Sequence, residues 1–166
     1  MWVLIIPLVV LALAGLWYFG YFSPSARDLL GLSSPGASDG STNRLNNVKI
    51  KIGSAVIDSE LAVTPAQQAL GLSYRDFMAE DKGLLFVFSS RSRKSFWMKG
   101  MRFPLDFVWI DGDKVADITE NVPPPKSFSE ALKTYAPSVP VNKVLEINAG
   151  VIAKNGIKIG DKVEWQ

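Results

Sequence analysis

Trp2 to Phe22 is an unbroken run of 21 uncharged, mostly apolar residues. At about 1.5 Å rise per residue, a helix of this length spans about 31 Å, the thickness of a bilayer core. Trp17, Tyr18, Phe19, Tyr21 and Phe22 crowd one end, as an interfacial aromatic belt does. No Lys or Arg precedes the run, and it exceeds the roughly 7 to 15 apolar residues of a signal-peptide core. The segment therefore reads as a single-pass signal anchor, not a cleaved leader. Arg27 beside Asp28 leaves the flanking charge balanced. A short N-tail before a larger C-terminal domain is the arrangement expected to place that domain outside the cytoplasm.

All 18 basic and 16 acidic residues follow the anchor. Residues 23–47 are rich in Ser, Gly, Pro, Asp and Asn and read as a flexible linker. Residues 48–166 suit one domain with its own core. The expected organisation is thus 1–22 anchor, 23–47 linker and 48–166 folded domain. The net charge of +2 gives no reason to expect nucleic acid.

Two missing residue types exclude whole chemistries. The chain has no His, which removes Ser-His-Asp triads, imidazole bases and His-ligated zinc. It has no Cys, which removes thiol nucleophiles, thiolate metal sites, disulfides and a lipoprotein-type attachment. No metal or cofactor is expected, and the domain reads as a binding module before an enzyme.

Val48 to Ile52 alternates apolar and basic residues, the pattern of a half-buried strand, and Gly53-Ser54 turns it into a second strand over 55–63. Thr64-Pro65 is a helix start and Gly71 a helix stop, which predicts a short helix over Pro65 to Leu70. The continuous apolar run Leu84 to Phe88 predicts a buried strand, and 95–98 a shorter one. Asp111-Gly112 between 105–110 and 114–119 is a hairpin signal. A long loop with Pro123-Pro124-Pro125 runs over 121–138. A strand over 144–148, one helical turn over 150–154 and a last strand over 162–165 complete the pattern. The expected fold is mainly β: a single compact barrel-like or sandwich-like domain with one or two short helices, behind a transmembrane helix.

Several blocks occur in a recognisable order. They are Glu60-Leu61-Ala62 with Thr64 and Gly71-Leu72, Gly83 to Phe88, Phe96-Trp97-Met98-Lys99, and Pro104-Leu105-Asp106. Val144 to Gly150 and Gly156 to Asp161 follow. Together they resemble the DUF192 (UPF0127) family over roughly residues 48–166. The resemblance implies a compact, mainly β domain, often secreted or membrane-anchored, and no established reaction. Gly100-Met101 stands where that family usually has Asn-Thr, and Ser73 where Met is common.

Three constellations are candidates for function. Asp106 is the one charge within Leu105 to Ile110, and Glu146 the one charge within Val144 to Ile147. A carboxylate in so apolar a strand either faces solvent or needs a partner, for which Lys99 and Arg75 are available. If the two carboxylates converge, they form the acid and base of a polysaccharide-acting hydrolase, the alternative reading. Second, Lys82, Arg91, Arg93, Lys94, Lys99 and Arg102 interleave with Phe96, Trp97 and Phe103 and no acid, a pattern that holds anionic glycans or headgroups. Third, the Pro-rich loop carries Phe128 and Tyr135. The expected ligand-binding set is Arg75, Trp97, Lys99, Asp106, Glu146 and Asn148. The expected partners are the membrane and an envelope glycan or another membrane protein.

Overall fold

A computed structural model describes residues 47–127 and 130–166. The apolar run Trp2–Phe22, residues 23–46 of the expected linker and Phe128 lie outside these residues, whereas Asn47, expected as the linker's last residue, begins the first strand. Among the described residues, no helix is long and apolar enough to cross a membrane.

The described residues form nine strands and two short helices. They are β1 (Asn47–Ile52), β2 (Ala55–Ala62), α1 (Pro65–Leu70), β3 (Lys82–Ser92), β4 (Phe96–Trp97), β5 (Leu105–Asp111), β6 (Lys114–Val122), β7 (Thr134–Tyr135), β8 (Val141–Asn148), α2 (Val151–Asn155) and β9 (Val163–Trp165). Seven of them form one sheet in the order β6-β5-β8-β3-β2-β1-β9, and β4 pairs with β7 apart from it. Every pairing in the large sheet is antiparallel except β2 with β3, which needs a crossover and receives α1. The fold is mainly β, as the sequence predicts, but it is one curled sheet and not a sandwich of two.

The sheet curls because the first face of nearly every strand is apolar and must be covered. Ile50, Ile52, Ile57, Leu85, Val108, Ile110, Leu145, Ile147 and Val163 meet inside the curl, together with Val151 and Ile152 of α2. The two outer edges approach each other at one end. There Val163 N donates to Asp113 O (2.7 Å), Val115 N to Asp161 O (2.9 Å) and Gly160 N to Val115 O (2.8 Å). The result is a half-barrel pinned at one corner.

The opposite face carries a second core. Ala62, Leu84, Phe86, Leu105, Phe107, Trp109 and Val144 project outward and are covered by Leu72, Met98 and Met101. Phe96 of β4 is the wedge that docks this cover. Its ring centroid lies 4.8 Å from Phe86, 5.5 Å from Trp109 and 5.8 Å from Phe107, edge-on or tilted to each.

Helix α1 starts at a capping box. Thr64 Oγ1 accepts from Gln67 N, Gln67 Oε1 accepts from Thr64 N, and Pro65 supplies the first helical position. Gln68 Nε2 then donates to Ala62 O (3.2 Å) and Val87 O (2.9 Å), which ties α1 to the crossover it spans.

Helix α2 has a glycine N-cap, Gly150, with no side chain to cap it. Asp106 does that work from β5. Its Oδ2 accepts from Ile152 N (3.0 Å) inside the core, and its Oδ1 accepts from Asn121 N (2.8 Å), fixing a residue at φ 54°. The sequence offers Lys99 or Arg75 as partners for this carboxylate; the partners are backbone amides instead. Replacing Asp106 by Ala orphans two amides, one of them in the core. We expect the substitution to lower unfolding free energy by roughly 2–4 kcal/mol, read as a shifted urea midpoint with an unchanged slope. A shift indistinguishable from zero would remove Asp106 from this role.

A buried acid at the foot of an aromatic groove

Strand pairing decides where each carboxylate points. Residues level with each other across the sheet share a face, and successive residues alternate. Asp106 pairs with Ile147, whereas Glu146 pairs with Phe107 on one side and Leu84 on the other. Asp106 therefore enters the curl, and Glu146 leaves through the opposite face. The paired-carboxylate arrangement that a hydrolase would need does not form, because the sheet itself stands between the two groups.

Glu60 is level with Leu84 on β2, so Glu60, Leu84 and Glu146 lie in one row of the outer face. Arg75, from the loop after α1, reaches this row. It grips Glu60 with two parallel hydrogen bonds, Nη1 to Oε1 at 2.6 Å and Nη2 to Oε2 at 2.7 Å. The loop is held by Asn148, whose Nδ2 donates to Met78 O (2.9 Å) and Ala79 O (3.0 Å). Asn148 thus positions Arg75 and does not itself line the groove.

Glu146 is 5% exposed, and its Oε2 has no hydrogen-bond partner. Burial raises its pKa from 4.5 to about 8, against a smaller opposing pull from the Arg75 charge. Arg75 moves it little because that charge is already engaged by Glu60. At neutral pH Glu146 is a neutral acid with a hydrogen-bond donor to offer.

The acid does not face a closed core. It lines a groove of about 250 Å³ between α1 and the 94–97 segment, whose walls include Phe86, Phe88, Phe96, Trp97 and Lys94. The segment alternates like a strand. Phe96 points in, Trp97 is 55% exposed on the rim, and Met98 points in again. Lys94 Nζ lies 4.3 Å above the Phe88 ring and Lys99 Nζ 5.9 Å from the Trp97 ring. Neither ammonium has an ion-pair partner among the described residues. Lys99 also lines a neighbouring cleft of about 550 Å³ with Tyr74, Arg102 and Pro124. That cleft is larger, but among its described lining residues no buried polar atom lacks a partner. Among the described residues no cluster of acids is placed to hold a metal ion.

The structure thus brings Arg75, Trp97 and Glu146 to one region and puts Lys99 at its edge. Asn148 supports it from behind, and Asp106 is on the other side of the sheet. Sequence reasoning missed Glu60 as the partner of Arg75, because nothing local reveals which strands lie side by side. It also left out the Phe86 and Phe88 walls, which read only as core.

The curled sheet, with a groove on its outer face that Glu146 lines, defines a mainly β half-barrel domain in a chain without His or Cys. The chain belongs to the DUF192 family, described as "Uncharacterized ACR, COG1430", whose model matches residues 48–165. A crystal structure from Sinorhizobium meliloti, described as a proposed transcription regulator, shares 35% identity at a TM-score of 0.64. It covers 73% of this chain and 95% of that one. A protein of unknown function from Novosphingobium aromaticivorans also shares 35% identity, at a TM-score of 0.65, covering 75% of this chain and 89% of that one. No curated protein matches the chain. The two departures from the family pattern meet in space: a Cβ on Gly100 would lie 3.3 Å from Ser73 Cβ, and Ser73 Oγ donates to Lys99 O (2.8 Å).

The raised pKa of Glu146 carries a stability signature. Between pH 4.5 and about 8 the folded state keeps a proton that the unfolded chain has lost. Stability from this group is complete below pH 4.5 and is lost as pH rises through 8. Glu146→Gln keeps the shape and removes the titration. Its stability should therefore gain on the parent by about 1.4 kcal/mol per pH unit at most across that window, then level off. Urea unfolding of both proteins at pH 5, 7 and 9 measures this, and a constant difference would show that Glu146 ionises normally.

Proposed function

We propose that this chain is a membrane-tethered, non-catalytic ligand-binding protein of the cell envelope, and that the groove at Glu146 is its binding site. One observation carries the reading: Glu146, a buried side chain with one carboxyl oxygen that has no hydrogen-bond partner, lines an open, aromatic-walled groove. Leaving such an atom unpaired costs about 1–3 kcal/mol, so a fold keeps it where a ligand supplies the partner. Trp97 on the rim offers a flat apolar face, and Glu146 offers a donor at depth. That pairing suits a ring that is apolar on one face and carries hydroxyl groups at its edge, as a sugar does.

The tether rests on the apolar run Trp2–Phe22, and the extracytoplasmic placement on the order of anchor and domain. An envelope glycan is the ligand class consistent with both the location and the groove.

Isothermal titration of the detergent-solubilised full chain with envelope oligosaccharides tests the reading. Binding should appear without release of cleavage products, and Trp97→Ala should weaken it about tenfold. Turnover of the oligosaccharide, or binding that ignores Trp97→Ala, would defeat it.

A further inference from the structure

We infer that the ligand carries a carboxylate, which the Glu146 acid receives as a hydrogen-bond donor while the Lys94 ammonium balances its charge. This deepens the groove reading and rests on it.

The charges around the groove support the choice. On the β2 side, Glu60 and Arg75 cancel each other through their two hydrogen bonds. The flanking strands contribute only Leu84 and Phe107 at the level of Glu146. From the turn between β3 and β4 comes Lys94, which rests on the Phe88 ring and, among the described residues, has no ion-pair partner. Lys99 adds a second ammonium outside Trp97. With Glu146 neutral, the groove therefore carries net positive charge on aromatic walls. A cationic ligand would meet two ammonium groups and no anion. A neutral ring would satisfy Glu146 but leave Lys94 unmatched.

An anionic oxygen satisfies both. An O–H donor and a carboxylate acceptor form a short charge-assisted hydrogen bond, among the stronger polar contacts available in a dry site. Lys94 already lines the groove, and among the described residues no ion pair restrains it. The same logic fixes the role of the proton. When Glu146 is ionised, it repels the ligand, so binding above its pKa of about 8 must take up one proton from solvent. Below that pH no proton is exchanged.

The test uses a uronic-acid oligosaccharide and its methyl-esterified form, which differ in charge and hardly in shape. Each is titrated into the full chain at pH 6, 7, 8 and 9 by calorimetry in buffers of different ionisation enthalpy. The free acid should bind at least about tenfold tighter than the ester at pH 6. Its affinity should fall towards tenfold per pH unit above about 8, with uptake of one proton. Lys94→Ala should erase the preference for the acid form. Glu146→Gln retains a donor but cannot ionise, so it should bind the acid with no pH dependence. Its urea unfolding curve confirms that it is folded. If the ester binds as tightly as the acid, or the acid affinity is flat from pH 6 to 9, the carboxylate assignment is overturned while the groove remains a glycan site. If neither form binds, the assignment falls together with the reading beneath it.

Discussion

Strand β8 is hydrogen-bonded on both sides, to β5 and to β3, and its pleat sorts the chemistry of the domain. Val144 and Glu146 leave on one face, Leu145 and Ile147 on the other. β3 approaches so closely that a Cβ on Gly83 would sit 2.9 Å from Glu146 O and 3.0 Å from Ile57 Cγ2. The glycine is what lets the strands pack here. A slip of one residue would send Glu146 into the aliphatic core and Ile147 into the groove. The two cores on either side of the sheet hold the register, and the register holds the site.

The two buried carboxyl groups show how one residue type divides into two roles. Asp106 accepts two backbone amides, so its burial is compensated and it serves the fold by ending one turn and starting α2. Glu146 has an oxygen with no partner, and the nearest guanidinium is committed elsewhere. Burying an ionised group without a partner is far costlier than protonating it, so Glu146 takes up a proton. The difference between a structural acid and a site acid is therefore a count of donors within reach, which local sequence does not contain.

Most elements were legible because their signals are local. Thr64-Pro65 and Gly71 bound a helix whose capping box is observed over Pro65–Leu70. Asp111-Gly112 turns the hairpin, with Gly112 at φ 62°. The apolar runs at 84–88 and 144–148 lie within β3 and β8. The pairings were not legible. Nothing between residues 60 and 146 announces that β2, β3 and β8 stand side by side, so the contact of Arg75 with Glu60 and the isolation of Glu146 emerge only from topology. The same ignorance made Asp106 and Glu146 look like a possible pair. Each is a single charge in an apolar strand, and only the phase of two strands forty residues apart separates them.

The Phe96-Trp97-Met98-Lys99 block joins fold to function most directly. Two of its residues anchor: Phe96 wedges among Phe86, Phe107 and Trp109, and Met98 is buried behind them. Strand alternation turns Trp97 outward, and Lys99 is exposed in the turn that Met101 N closes on Met98 O (3.1 Å). The indole is held at the rim by the packing of Phe96. An exposed indole on a flexible loop would lose rotamer and backbone freedom on binding. One fixed between the half-buried Phe96 and the buried Met98 has lost much of that freedom on folding. The apolar wedge that closes the second core is thus also what holds Trp97 in place at the rim of the groove.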